Sequence, residues 1–200
     1  KVLGYKGLSI RELKPYLDGE KSGKVVGITF DDGYQNNLIN AAPILKKYNF
    51  SSTCYIVSEN IGSSNTWDLE AGVTQRPLMT ENEIFEWIYL GMDIGAHTKN
   101  HVDLTSISEK KAQNEIYDCK TDLEFIFNVP VTDFCYPFGR FNELVCDMTK
   151  DLGYLSATTM DRGRANSQSN RHMLPRIPIN YRTLPHLFLA KILTSYEDRR

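Results

Sequence analysis

Three short stretches carry residue types and spacings suited to chemistry. Asp31 and Asp32 stand side by side in Thr29-Phe30-Asp31-Asp32-Gly33-Tyr34. Adjacent side chains point different ways, so the two carboxylates can play different roles, although Asp-Gly is also a common turn pair. His97 and His101 flank Thr98-Lys99-Asn100. A four-residue spacing puts two imidazoles on one face of a helical turn, as a metal site needs. The chain has four histidines in all, and two fall here. With Asp32 they make a two-histidine, one-carboxylate set that leaves coordination positions open for water and substrate. The third stretch is Tyr136-Pro137-Phe138-Gly139-Arg140, which on its own reads as a strand-ending turn.

Each stretch follows a strand-like run, and parallel α/β folds place active sites at the C-terminal ends of strands. Residues 24–30 (KVVGITF) read as a buried strand, with others at 52–57, 92–96, 133–136, 154–159 and 174–179. Helix-like segments lie between them. Residues 35–48 put Leu38, Ala41, Ile44 and Leu45 on one face. Thr80 with Glu83 forms a capping box before a helix at 81–90, and Ser106 with Glu109 a second. The helix after it carries Ala112, Ile116, Cys119, Leu123 and Ile126 at steps of four and three, which is a core stripe. Further helices are expected at 143–152, closed by Gly153, and at 184–193, with a polar loop at 161–170. Five or six strands, each mostly followed by a helix, fit an irregular or incomplete βα barrel better than an open doubly wound sheet.

The 200 residues suffice for one domain spanning 1–200. Hydrophobic residues at 41% and charged residues at 24% exclude a disordered or fibrous chain. Twenty-three Lys+Arg against 25 Asp+Glu leave a net charge of −2, so nothing favours nucleic acid as a partner. No run approaches the roughly 18 apolar residues needed to span a bilayer. Cys54, Cys119, Cys135 and Cys146 form no CxxC pair and read as four free thiols, which slightly favours the cytoplasm over the periplasm or cell surface.

Taken together, the three stretches resemble the polysaccharide deacetylases, the NodB-homology or family 4 carbohydrate esterases. Thr29–Gly33 is similar to their TFDDG motif, His97–His101 to H-[ST]-x-x-H, and Pro137–Gly139 to P-[YF]-G. Smaller similarities are Ala42-Pro43-Ile44-Leu45, Trp67-Asp68 and Leu174-Pro175-Arg176-Ile177, so the likeness covers roughly residues 20–180. The resemblance implies a distorted, incomplete (β/α) barrel and a metal-dependent hydrolase that removes N-acetyl groups from amino sugars of a bacterial envelope polysaccharide or its precursor. It implies that Asp32, His97 and His101 hold a divalent ion, zinc first, with cobalt or nickel able to substitute. It makes Asp31 the general base and the Phe138 backbone N–H the oxyanion donor. Tyr136, Pro137, Phe138 and Trp67 become candidate contacts to an N-acetylated glycan.

Two departures from the family pattern stand out. Cys135 occupies the place of an Arg that pairs with the base, and Arg176 is the nearest substitute. The family's Leu-x-His acid motif has a literal match in Leu184-Pro185-His186, but this opens a helix-like run, and His172 is no better placed. Some members instead carry the acid in a Tyr-His segment before the first motif. Residues 1–20 (Leu8-Ser9, Glu12-Leu13, Leu17) resemble the stretch directly after that segment, so the acid is expected upstream of Lys1. Two other classes stay open: a glycan-binding or structural module without turnover, and either a metal hydrolase of the same fold acting on a non-sugar amide or an Fe(II) oxygenase using the same ligand set.

Overall fold

The computed structural model describes residues 3–199. The chain begins with β1 (Lys6–Leu8), α1 (Ile10–Leu17) and β2 (Val25–Gly27). β2 pairs in parallel with β1, and the chain then passes through Ile28 into β3 (Thr29–Phe30). The Ile28 N–H donates to the Leu8 carbonyl, and its own carbonyl accepts from Thr53. One residue thus hands the backbone from one neighbour to the next. The strand expected at 24–30 is real but broken at this point.

The remaining elements alternate. They are α2 (Ala42–Tyr48), β4 (Thr53–Ile56), α3 (Glu81–Tyr89), β5 (Asp93–Ala96), α4 (Glu109–Phe127), β6 (Asp133–Cys135), α5 (Glu143–Asp151), β7 (Ser156–Arg162), β8 (Leu174–Arg176) and α6 (Pro185–Leu193). β3 to β8 form a six-stranded sheet in chain order, every pair parallel. The sheet curls into an open half-barrel, the incomplete (β/α) fold expected.

Period-two alternation sorts the strand residues onto two faces. Cys54, Ile56, Ile94, Ala96, Phe134, Tyr136 and Ala157 face outward and join the core beneath the helices. Ala112, Ile116, Cys119 and Leu123 of α4 pack there as the stripe requires, with Phe127 rather than Ile126 fully buried at its end. The inner face is polar: Thr53, Tyr55, Asp133, Cys135 and Thr158 are all buried. A Cβ on Gly95 would lie 2.6 Å from the Tyr55 ring, so only glycine lets that ring cross β5. α1 closes the barrel end where the strands start. The Ile10 N–H donates to Thr53 Oγ1 at 3.0 Å, and Arg11 reaches Asp93 at 3.2 Å and the Pro130 carbonyl at 3.1 Å.

Several local expectations need correction. Residues 37–41 form a π-helical turn ahead of α2, which rotates the apolar face so that Ala42 is buried and Ile44 is 58% exposed. The Thr80–Glu83 capping box is present. The second one is not: Ser108 is the N-cap of α4, and Ser106 Oγ instead donates to the Asp103 carbonyl. β1 and α1 were not anticipated from sequence pattern.

Candidate metal centre and active site

Asp31 and Asp32 come directly after β3, and the backbone there separates their side chains. Asp32 has φ 70° and Gly33 φ 76°, two successive left-handed residues. Asp is among the few side chains that adopt this conformation readily. The turn aims Asp32 at the histidines and leaves Asp31 pointing toward β8.

Asp32 Oδ1 lies 3.3 Å from His97 Nε2 and 3.3 Å from His101 Nε2. In a tetrahedral zinc site with bonds of about 2.0–2.1 Å, two ligand atoms stand about 3.3–3.4 Å apart. The His97 Nδ1 sits 2.7 Å from the Cys135 carbonyl oxygen. A carbonyl only accepts, so Nδ1 carries a hydrogen and Nε2 is the ring atom turned toward the carboxylate. Burial opposes charge on His97, yet Cys135 and Asp32 outweigh it and raise its pKa, so the cluster attracts positive charge. The donor set therefore fits a divalent ion. Burial opposes charge on Asp32, yet His101 and His97 outweigh it and hold the carboxyl well below its usual range. Burial pushes the His101 pKa down, toward the neutral form that ligates. Both histidines are buried.

The histidines do not share a helical turn, contrary to the spacing argument. Residues 97–101 form a loop after β5 in which Thr98 (φ 64°) and His101 (φ 54°) are both left-handed. Tertiary ties, not helix geometry, bring the two rings together.

Asp31 receives the Arg176 guanidinium as a fork: Nη1 to Oδ1 at 2.7 Å and Nη2 to Oδ2 at 2.8 Å. Nε donates to the Thr159 carbonyl, Nη1 also to Thr29 Oγ1, and Nη2 also to Cys135 Sγ. All five N–H groups of Arg176 are thus engaged. Burial alone would raise the Asp31 pKa, but the charge and bonds of Arg176 outweigh it and lower it. Asp31, His97 and Cys135 also converge as possible ligands, but the guanidinium already fills that position with a cation. Sequence reasoning missed Thr29 Oγ1 and the Thr159 carbonyl. Strand alternation could have found the first, since Thr29 and Asp31 share a face.

The Phe138 backbone is left-handed (φ 58°), and its ring is 45% exposed and edge-on to His101 at 4.6 Å. Trp67 stacks on His101 at 4.4 Å. Both aromatics thus contact the imidazole. Tyr136 and Pro137 are buried and offer no side chain to a glycan. The Tyr136 hydroxyl points to α5, where it meets Thr149 Oγ1 and the His172 carbonyl.

His186 is exposed in the first turn of α6. His172 precedes β8, at the strand-start end of the barrel, with Nδ1 3.4 Å from Thr149 Oγ1 on α5. Neither joins the cluster at the strand ends. All four cysteines are free. Among the described residues no helix is long and apolar enough to cross a membrane.

A parallel half-barrel that carries a two-histidine, one-aspartate cluster and an arginine-paired carboxylate at its strand ends defines a hydrolase class. Residues 18–157 match the family model for polysaccharide deacetylases, and the chain belongs to that family. It is 30% identical over 179 residues to YxkH of Bacillus subtilis strain 168, a candidate polysaccharide deacetylase, covering 88% of this chain and 60% of that protein. It is 27% identical over 182 residues to the poly-beta-1,6-N-acetyl-D-glucosamine N-deacetylase of Staphylococcus aureus, covering 88% and 62%. The chain thus spans about three-fifths of the length of these relatives. Among solved structures, the Streptococcus pyogenes deacetylase PplD in complex with acetate superposes with a TM-score of 0.82 at 28% identity, covering 96% of this chain and 81% of that one. A polysaccharide deacetylase from Bacillus cereus gives 0.79 at 27% identity, covering 96% and 58%.

Proposed function

We propose that this chain is a metal-dependent N-deacetylase that hydrolyses the N-acetyl groups of amino sugars in a bacterial envelope polysaccharide or its precursor. The observation that carries the reading is the pairing of two adjacent carboxylates with different partners: Asp32 with two histidines, Asp31 with one arginine. A binding module has no use for a half-buried carboxylate kept ionised beside a ligand cluster. The relatives named for deacetylation of an N-acetylglucosamine polymer support the substrate class.

Asp32, His97 and His101 would hold the ion, zinc by the donor set and the ligand spacing. A divalent ion held there acidifies water and polarises an acyl oxygen. The protein's own groups do the rest. Asp31 takes a proton from the attacking water, and Arg176 keeps it ionised and oriented for that task. The Phe138 backbone N–H is offered to the oxygen that gains negative charge. Trp67 and the Phe138 ring bound the opening and orient the sugar. The amide C–N bond breaks, the carbonyl carbon gains the water oxygen, and nitrogen leaves with a proton as the free amine.

The test is metal analysis of the purified protein coupled to acetate release from N-acetylglucosamine oligomers. Zinc-dependent acetate release is expected. A second reading, glycan binding without turnover, draws on one observation: neither His172 nor His186 reaches the site. Oligomer binding without acetate release at any metal loading would favour it and sink the first.

A further inference from the structure

The loop that carries both histidines is strained, and a residue outside all the motifs holds it. Thr98 and His101 are left-handed, and for the β-branched Thr98 that conformation is a genuine outlier. Such backbone persists only where its surroundings over-determine it. From one side the extension of β4 reaches in: the Ser58 and Glu59 N–H groups donate to the Thr98 and Lys99 carbonyls at 3.4 and 3.0 Å. From the other side Glu115, half-buried on α4, makes three bonds to two successive residues. Its carbonyl accepts the Lys99 N–H at 3.1 Å. Its carboxylate takes the Asn100 backbone N–H on Oε2 at 2.8 Å and the Asn100 side-chain amide on Oε1 at 2.7 Å.

The next residue along is His101. A ligating histidine is ordinarily oriented by a hydrogen bond from its second ring nitrogen. His97 has one, from Nδ1 to the Cys135 carbonyl. His101 has none: its Nδ1 is buried and without a hydrogen-bond partner. Its ring is placed by Trp67, by Phe138 and by the backbone that Glu115 fixes. We propose that Glu115 is a positioning residue for the metal centre, clamping Asn100 so that the His101 imidazole stands opposite Asp32. The inference rests on the reading of Asp32, His97 and His101 as metal ligands.

The test is zinc affinity, measured on the full chain by competition with a chromophoric chelator, beside the unfolding midpoint of the metal-free protein. Glu115→Ala should weaken zinc binding about tenfold or more, the lower end of what outer-shell partners contribute. The metal-free midpoint should move by no more than about 4 °C, as for the loss of a surface contact. Glu115→Gln, which keeps one strong acceptor, should recover part of the affinity. Asn100→Ala removes one bond and leaves α4 intact. It should weaken binding by a smaller factor, and it decides the matter if Glu115→Ala does not fold. Zinc affinity within about twofold of the parent in every variant that folds overturns the role of Glu115 and leaves the metal site standing. A parent chain that binds no zinc overturns both.

Discussion

Arg176 grips Asp31 through both terminal nitrogens, at 2.7 and 2.8 Å, from a strand five places across the sheet. The fork holds the Asp31 carboxyl below its ordinary pKa against the opposing effect of burial. Base activity needs the ionised form, so it is present above the lowered pKa and lost as pH falls through it. Arg176→Ala removes the charge and both bonds but leaves the burial, which pushes the carboxyl up. The acidic limb of the kcat/KM profile should therefore move to higher pH, by about one unit or more for a lost arginine partner. Arg176→Lys keeps a charge without the fork and should fall between. An unmoved limb in Arg176→Ala would show that Arg176 does not tune the base.

The divided pair predicts divided phenotypes. Asp31→Asn should keep zinc within about twofold and lose about 10²–10⁴-fold in kcat, the range for loss of a general base. Asp32→Asn should lose the metal as well. Zinc loss in the first variant with retention in the second would exchange the two roles.

Much of this centre was legible in the chain, for reasons that name its limits. The resemblance marked Cys135 as standing where an arginine was expected and pointed to Arg176 as its substitute, and Arg176 does pair with Asp31 from another strand. The α4 stripe from Ala112 to Leu123 was legible because burial repeats with the helix period. The His-x3-His spacing was readable as a pair but not as a shape. Two left-handed residues replace the helical turn, and nothing local announces them. Tyr136 was expected to line the site from its place in the third motif. Alternation sends it to the face opposite Cys135, where α5 covers it. Glu115 was invisible, since an acid on the edge of a helix looks like any solvated charge until the loop it holds is placed beside it. β1 was missed because three residues are too few to show a period.

Removing a ligand should separate from removing its packing. His97→Ala or His101→Ala should lose most bound zinc, because two remaining ligands hold it weakly. Trp67→Ala keeps all three ligands but removes the ring stacked on His101 at 4.4 Å. An aromatic pair is worth about 0.5–1.5 kcal/mol, so zinc affinity should drop severalfold, and Trp67→Phe should restore part of it. Equal losses in Trp67→Ala and His101→Ala would mean that Trp67 holds the loop itself and not merely the ring.

The proton for the departing nitrogen has few sources. His97 and His101 are the proposed ligands. His186 starts α6 and is exposed. His172 lies before β8, against α5, at the barrel end away from the cluster. A substitution at either should act only through stability, and surface changes usually cost little. His186→Ala and His172→Ala should each keep kcat within about threefold of the parent, a factor that corresponds to about 0.65 kcal/mol in the barrier. Amine expulsion without a well-placed acid is slow. On the proposed reading, Asp31 can return the water's proton to the nitrogen, and low turnover is the expected outcome. The measurement is kcat for acetate release in both variants, alone and combined. A loss of a hundredfold or more in either would place that histidine at the reacting nitrogen, and would require the chain around it to fold over the strand ends when a glycan binds.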